Sequence, residues 1–139
     1  MDHQGLFSQT ITLLEKVLDF RSQRHSLIVS NIANMDTPRY QGVDLIFEDE
    51  LREALQQGEA SGARTSHKRH FPVAEKSLQF VQPRIVPSAG LILSNDLNTV
   101  DVEKEMTKLA ENNLMYNAAA QILRKKFEGM KTAIRGGGR

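Results

Sequence analysis

The chain contains no cysteine and no tryptophan. Without cysteine there are no disulfides and no thiolate metal sites, and the sequence fits any redox compartment. Aromatic residues make up only 6% of the chain, which limits the bulk available for a compact core. No run of about 18 apolar residues occurs, so no segment reads as a membrane-spanning helix. Charge of one sign is lacking as well. Lysine and arginine number 18 against 17 aspartate and glutamate, for a net charge of +1, and no global attraction to nucleic acid or anionic lipid follows. The opening Met1-Asp2-His3-Gln4-Gly5 has neither the basic start nor the apolar stretch of a secretory signal. If the chain leaves the cytoplasm, another route is expected.

What the chain does have is 40% apolar residues in 139, enough for one ordinary domain, and much of that content is arranged in two seams. Near the N-terminus the row Phe7, Ile11, Leu14, Leu18, Arg21, His25, Ile28, Ile32, Met35 alternates steps of four and three. Near the C-terminus the row Val102, Met106, Leu109, Asn113, Tyr116, Ala120, Leu123, Phe127, Met130, Ile134 does the same. This is the heptad beat of helices that wrap around other helices. Such stripes need partners, so the chain reads as a part that assembles. The first helix is expected over Leu6 to Asn34, about 43 Å long. A second row, Leu6, Leu13, Val17, Phe20 and Leu27, widens its face enough for more than one neighbour. Arg21 and His25 interrupt the main row; snorkelling, or facing a local gap, is the favoured account of them, and a polar device that fixes register is the less favoured one. The last helix is expected from near Asp101, with acidic residues in its first turns and basic ones toward its end, as the helix dipole favours.

Between the two helices the pattern changes. Asn34 can take a left-handed cap, and Pro38 pushes Thr37 out of helical space, so a turn is expected at Asn34 to Tyr40. A short helix is expected next, capped by Asp44, with Phe47, Leu51, Ala54 and Leu55 on one face, and ended by Gly58. From there to Asn98, glycine and proline punctuate brief apolar pieces: Leu78 to Val81, Arg84 to Val86, and Leu91 to Leu93. Each is consistent with a brief strand or extended loop of weak hairpin potential. The resulting expectation is a mainly α fold in which two long terminal helices pack as an antiparallel coiled-coil pair around a small irregular, β-containing middle. The parts are residues 1–35, 36–98 and 99–139, the last closing on a glycine-rich tail.

Chemistry finds little footing. His67-Lys68-Arg69-His70 offers two histidines three apart, but in a Gly/Ser/Pro-bounded stretch with no carboxylate at diagnostic spacing, so a solvated loop is the better reading. No nucleophile, base and stabiliser can be assembled, and no glycine-rich phosphate loop precedes a helix. The basic groups Arg64 to Arg69 and Arg124 to Lys126 lack interleaved aromatics. No catalytic role, cofactor, metal or nucleic-acid partner is expected.

The segment Ser30-Asn31-Ile32-Ala33-Asn34-Met35-Asp36-Thr37-Pro38-Arg39-Tyr40 closely resembles the N-terminal motif of bacterial flagellar rod and hook proteins. Its motif residues are Ser30, Asn31, Ile32, Ala33, Asn34, Thr37, Pro38 and Tyr40. The string Asn98-Thr99-Val100-Asp101-Val102-Glu103-Lys104-Glu105-Met106, with Leu109-Ala110-Glu111-Asn112-Asn113 and Tyr116, is similar to that of proximal rod subunits of the basal body. The resemblance covers about half the chain, at both ends. It departs at Arg39, where relatives often have glycine, so a left-handed residue is not expected there. It implies a structural subunit of a hollow periplasmic drive shaft, exported unfolded through the flagellar type III apparatus without a cleaved signal peptide. The implied partners are further copies of the chain, other proximal rod subunits, the junction protein between rod and membrane ring, and the export gate in transit. It also implies a gate signal of phenylalanine followed four residues later by an apolar residue. Phe47 and Leu51 match, as do Phe7 and Ile11; the first pair is favoured because it follows the motif, and a packed helix face accounts for it equally. The alternative is a cytoplasmic helical-hairpin adaptor or export chaperone, which shares the heptads but has no reason to carry the motifs.

Overall fold

The computed structural model describes residues 3–62, 78–88 and 97–136, with side chains described for residues 9–56, 78–88 and 97–136. The element order is α1 (His3–Ala33), β1 (Val43–Ile46), α2 (Glu48–Gly62), β2 (Arg84–Pro87) and α3 (Val102–Gly136). At 31 and 35 residues the two long helices extend about 46 and 52 Å. They pack against each other. Asn31 of α1 meets Glu105 of α3 while Arg21 meets Asn112, so the helices run antiparallel. The expected fold, two long terminal helices around a small strand-containing middle, is the observed one.

The two rows of α1 divide the work. Phe20, from the second row, enters a core with Leu45, Phe47, Leu51, Ala54, Leu78 and Val81, flanked by Leu13, Val17, Leu27 and Leu55. The Phe20 and Phe47 rings lie 5.4 Å apart at a tilt of 54°, a favourable aromatic geometry. The first row faces α3 through Arg21. β1 and β2 form a two-stranded antiparallel sheet in the register Val43↔Pro87 to Ile46↔Arg84.

Several local expectations are corrected. Asp44 does not cap α2; it lies in β1, held there by Arg24. Phe47 takes the cap position: its carbonyl accepts the Leu51 N–H at 3.0 Å, and its own N–H donates to Glu48 Oε2 at 3.3 Å. Gly58 does not end α2, which continues to Gly62; no described glycine adopts a positive φ, so the residue is carried as an ordinary helical position. Residues 78–80 are helical, not extended. Leu78 and Val81 are both buried in the core, a three-residue spacing that a strand would place on opposite faces. Arg84 to Val86 does form a strand. Leu91 to Leu93, Arg64 to His70 and residues 137–139 lie outside the described residues.

The turn after α1 also differs from expectation. Asn34 is not left-handed; Arg39 is, at φ 61°, as is Leu97 at φ 58°. Asn34 acts through its side chain: Nδ2 donates to the Ser30 carbonyl at 2.8 Å, and Oδ1 accepts the Thr37 hydroxyl at 3.2 Å. With Tyr40 bonded back to Thr37 and forward to Thr99, the turn is fixed on both sides, and Arg39 is held in a conformation that costs a non-glycine residue about 1–2 kcal/mol.

Candidate functional site

The motif residue Asn31 is completely buried and uses its whole amide. Nδ2 donates to the Val43 carbonyl at 2.7 Å and to Glu105 Oε2 at 2.8 Å; Oδ1 accepts the Val43 N–H at 3.1 Å and the Tyr40 hydroxyl at 3.3 Å. One side chain thereby ties α1 to β1, to the turn and to α3. Asn98, also buried, closes the end of α1. Its Nδ2 lies 2.8–3.1 Å from the carbonyls of Asn34, Met35 and Thr37, and its Oδ1 accepts the Val100 N–H at 2.8 Å. These carbonyls belong to the turn just past Ala33, which Asn98 thereby ties to the segment leading into α3. Asp101 then caps α3: Oδ1 takes the Lys104 N–H and its carbonyl takes the Glu105 N–H.

A line of charged and amide groups runs from these anchors along the junction of α1, the insert and α3. Glu105 Oε1 accepts from Ser88 at 3.1 Å and pairs with Lys108 at 2.8 Å; Lys108 lies 3.4 Å from Asp44. Arg24 grips Asp44 with two bonds, at 2.8 and 3.0 Å, and reaches Glu48 at 3.3 Å. Arg21 continues to Asn112, whose Nδ2 donates to the Arg21 carbonyl at 2.9 Å. Burial pushes the Asp44 carboxyl up, but the Arg24 hydrogen bonds and charge, the Leu45 N–H and Lys108 outweigh it and hold it below its ordinary value. The hydrogen bond to Asp44 raises Arg24 against the opposing effect of burial. Arg21 is lowered, chiefly by burial, with Glu48 opposing and Arg24 adding to the effect. Its guanidinium also sits 5.4 Å from the centre of the Phe47 ring. Arg21 is therefore a register device and not only a snorkelling interruption.

The seam residues fall into two groups. On α1, Leu14 and Ile28 are buried, Ile11, Leu18 and Ile32 half-buried, and the Phe7 side chain lies outside the described residues. On α3, Leu109, Leu123 and Met130 are half-buried, whereas Val102, Met106, Tyr116, Phe127 and Ile134 are exposed. The fully buried residues of α3 are Glu105, Asn112 and Ala119. The face of α3 turned toward α1 therefore keeps Leu109, Leu123 and Met130 but not Tyr116, and sets Glu105, Asn112, Ala119 and Lys126 in place of the expected Met106, Asn113 and Phe127, with Ala120 half-buried beside them. The physical reason is that polar partners on α1, not apolar content, select the inward column. Of the motif, Asn31 is buried, Ile32, Asn34 and Tyr40 half-buried, and Ser30, Ala33, Thr37 and Pro38 exposed. Phe47 and Leu51 are both buried in the core. Arg24, Asp44, Glu105 and Asn112 were not singled out from the sequence as contact residues. The one available signal was that Asn112 and Glu105 recur seven apart beside the apolar row.

Nothing in this arrangement assembles reacting groups around a substrate. The buried polar anchors and the uncovered apolar flank of a long helix define a structural helical-hairpin protein. No family-level sequence profile matches the chain. Individual proteins do. It is 35% identical to the flagellar basal body rod protein FlgB of Bacillus subtilis over 96% of this chain and 98% of that protein. To the FlgB of Yersinia enterocolitica it is 35% identical, over 88% and 91%, and to that of Salmonella typhimurium 33%, over the same shares. The chain belongs to the flagellar basal body rod protein FlgB family. Its role is that of a structural component of the basal body rod, a role that entails assembly with other rod components.

Proposed function

We propose that this chain is a subunit of the proximal rod, exported unfolded by the flagellar type III apparatus and built, through its terminal helices, into a hollow periplasmic drive shaft. The observation that carries the reading is the exposed apolar flank of α3, Met106, Phe127 and Ile134, with Met115 and Ile122 on the other side. An uncovered set of large side chains along a helix of 35 residues marks a surface that other helices cover. Covering one of them stabilises a neighbouring contact by about 1.5–3 kcal/mol. The partners in this reading are further copies of the chain, other proximal rod subunits and the junction protein to the membrane ring. Phe47 and Leu51 serve as the export-gate pair only in the unfolded chain, since folding covers both.

Phe127→Asp tests the reading, because the side chain is exposed in the single chain and its loss leaves the fold intact. The variant should be made and secreted at parental levels while the cells fail to swim. Lys125→Glu, on the opposite face, should leave motility unchanged. Cells carrying Phe127→Asp that swim like the parent would remove this flank from assembly.

A further inference from the structure

Each long helix carries a further row on a side that the fold leaves open. On α1 it runs from Glu15 through Asp19, Ser22, Ser26 and Val29 to Ala33. On α3 it runs from Leu114 through Asn117 and Gln121 to Arg124. The steps are again four and three, and every member is exposed. Most of either row is small or polar, but each holds one large apolar side chain, Val29 at 44% and Leu114 at 69% exposed. Asp19 stands ten residues before Val29, and Arg124 stands ten residues after Leu114. One antiparallel register therefore sets Asp19 against Arg124 and Val29 against Leu114 together, with Ser22 level with Gln121 between them. In a parallel register that pairs Asp19 with Arg124, Val29 and Leu114 lie about 30 Å apart. Asp19 is in no ion pair among the described residues, and Arg124 holds only Glu128, one turn on along its own helix, in a solvated pair.

The chain cannot make this match with itself. Arg21 meets Asn112, which brings Asp19 level with Leu114 and leaves Arg124 about 15 Å further along the axis. We infer that a second copy of the chain docks here, the α3 of one copy lying antiparallel along the outer face of α1 of the next, with Arg124 on Asp19 and Leu114 on Val29. The inference rests on the rod reading and deepens it by giving α3 a partner helix and a register. The charge match and the apolar match both lie on this one chain, so the occupant is a second copy. The two surfaces differ, so the contact is heterologous. A copy that docks through its α3 still offers its α1 row to the next, and the contact propagates where a two-fold one would close. Lys125, 100° round the helix from Arg124, lies off the row.

Cross-linking in basal bodies tests this, and the absence of cysteine from the parent leaves no background. Ser22→Cys with Gln121→Cys puts one thiol on each row and leaves both matched pairs intact. With a short thiol–thiol cross-linker, basal bodies of motile cells carrying this full-length variant should give dimers and higher multimers of the chain. Ser22→Cys with Thr132→Cys, about 16 Å out of register, should give about tenfold less. Equal yields from the two variants, monomers alone, or a species joining the chain to a different protein would each overturn the inference. A charge swap adds a second measurement. In the Ser22→Cys, Gln121→Cys background, Asp19→Arg should lower the multimer yield by about tenfold or more, and adding Arg124→Asp should restore it to within about twofold. No recovery would overturn the pairing. A chain absent from the basal bodies altogether removes the rod reading and this contact with it, whereas a chain present there but not cross-linked removes this contact alone.

Discussion

Asn31→Asp is the sharpest single test of the anchor that joins α1, β1 and α3. The change is isosteric and keeps an oxygen where Oδ1 accepts from Val43 and Tyr40. It replaces the amide donor by a second oxygen, facing the Val43 carbonyl at 2.7 Å and Glu105 Oε2 at 2.8 Å. The carbonyl loses its donor, at about 1–3 kcal/mol, and the charge-assisted bond to Glu105 disappears, at about 1.5–3 kcal/mol. Two carboxylates then confront each other at a site closed to water, which adds to the cost. The total is about 3–6 kcal/mol, a large share of the roughly 5–15 kcal/mol that holds a domain folded. Urea melts followed by circular dichroism at neutral pH should show the corresponding loss. Lowering the pH should narrow the gap to the parent, because a proton shared between the two carboxyls restores a donor. Adding Glu105→Gln should recover a substantial part of the loss, since its amide can donate where the carboxylate could not. A single variant that melts like the parent at neutral pH, or a double variant no better than the single, would refute the account of Asn31 as the joint.

Three further outcomes follow from the same geometry. Asp44→Asn should destabilise the chain at neutral pH; because the native carboxyl is held below its ordinary value, its contribution is present above about pH 3.9 and is lost as pH falls through the lowered value, so melting curves of parent and variant should converge in acid. Arg39→Gly should raise the urea midpoint by a stability gain on the order of 0.5–1 kcal/mol, the relief of a left-handed arginine less the entropy that glycine adds to the unfolded chain. Asn98→Ala should cost about 1–3 kcal/mol in a thermal or urea melt by leaving the Met35 carbonyl without its donor, while the Asn34 and Thr37 carbonyls keep the Thr37 and Tyr40 N–H groups, and Asn98→Asp should cost more, since it sets a carboxylate oxygen against all three.

The parts of this fold that are legible in the sequence are those set by short-range rules. Heptad spacing marks both long helices, Pro38 marks the turn, and the motif strings at Ser30 to Tyr40 and Asn98 to Met106 point to the family. The phase of α3 is not legible, because its inward column is chosen by Asn31 and Arg21, some 74 and 91 residues away in sequence. A hydrophobic row registers Met106 and Phe127 but cannot see that Glu105 and Asn112 have partners waiting. Asp44 misleads for the same reason: as a local signal it reads as a helix cap, whereas Arg24 and Lys108 claim it for the sheet. At Leu78 to Val81 a brief apolar piece suits strand or turn of helix equally, and only the shared burial of its two ends decides.

The meeting of chain segments at Gly42 has a consequence for what this scaffold can carry. Its carbonyl accepts the Ser88 N–H at 2.7 Å, its N–H donates to Thr99 Oγ1 at 3.0 Å, and the next residue, Val43, pairs with Pro87. An added Cβ there would stand 3.4 Å from both Ser88 and Val100. The excursion from β1 to β2 therefore starts and finishes at one tied point, like a bight of rope closed at its base. The long helices register the knot and not the length of rope beyond it. A change in the length of that excursion reaches the helical pair only through this tie.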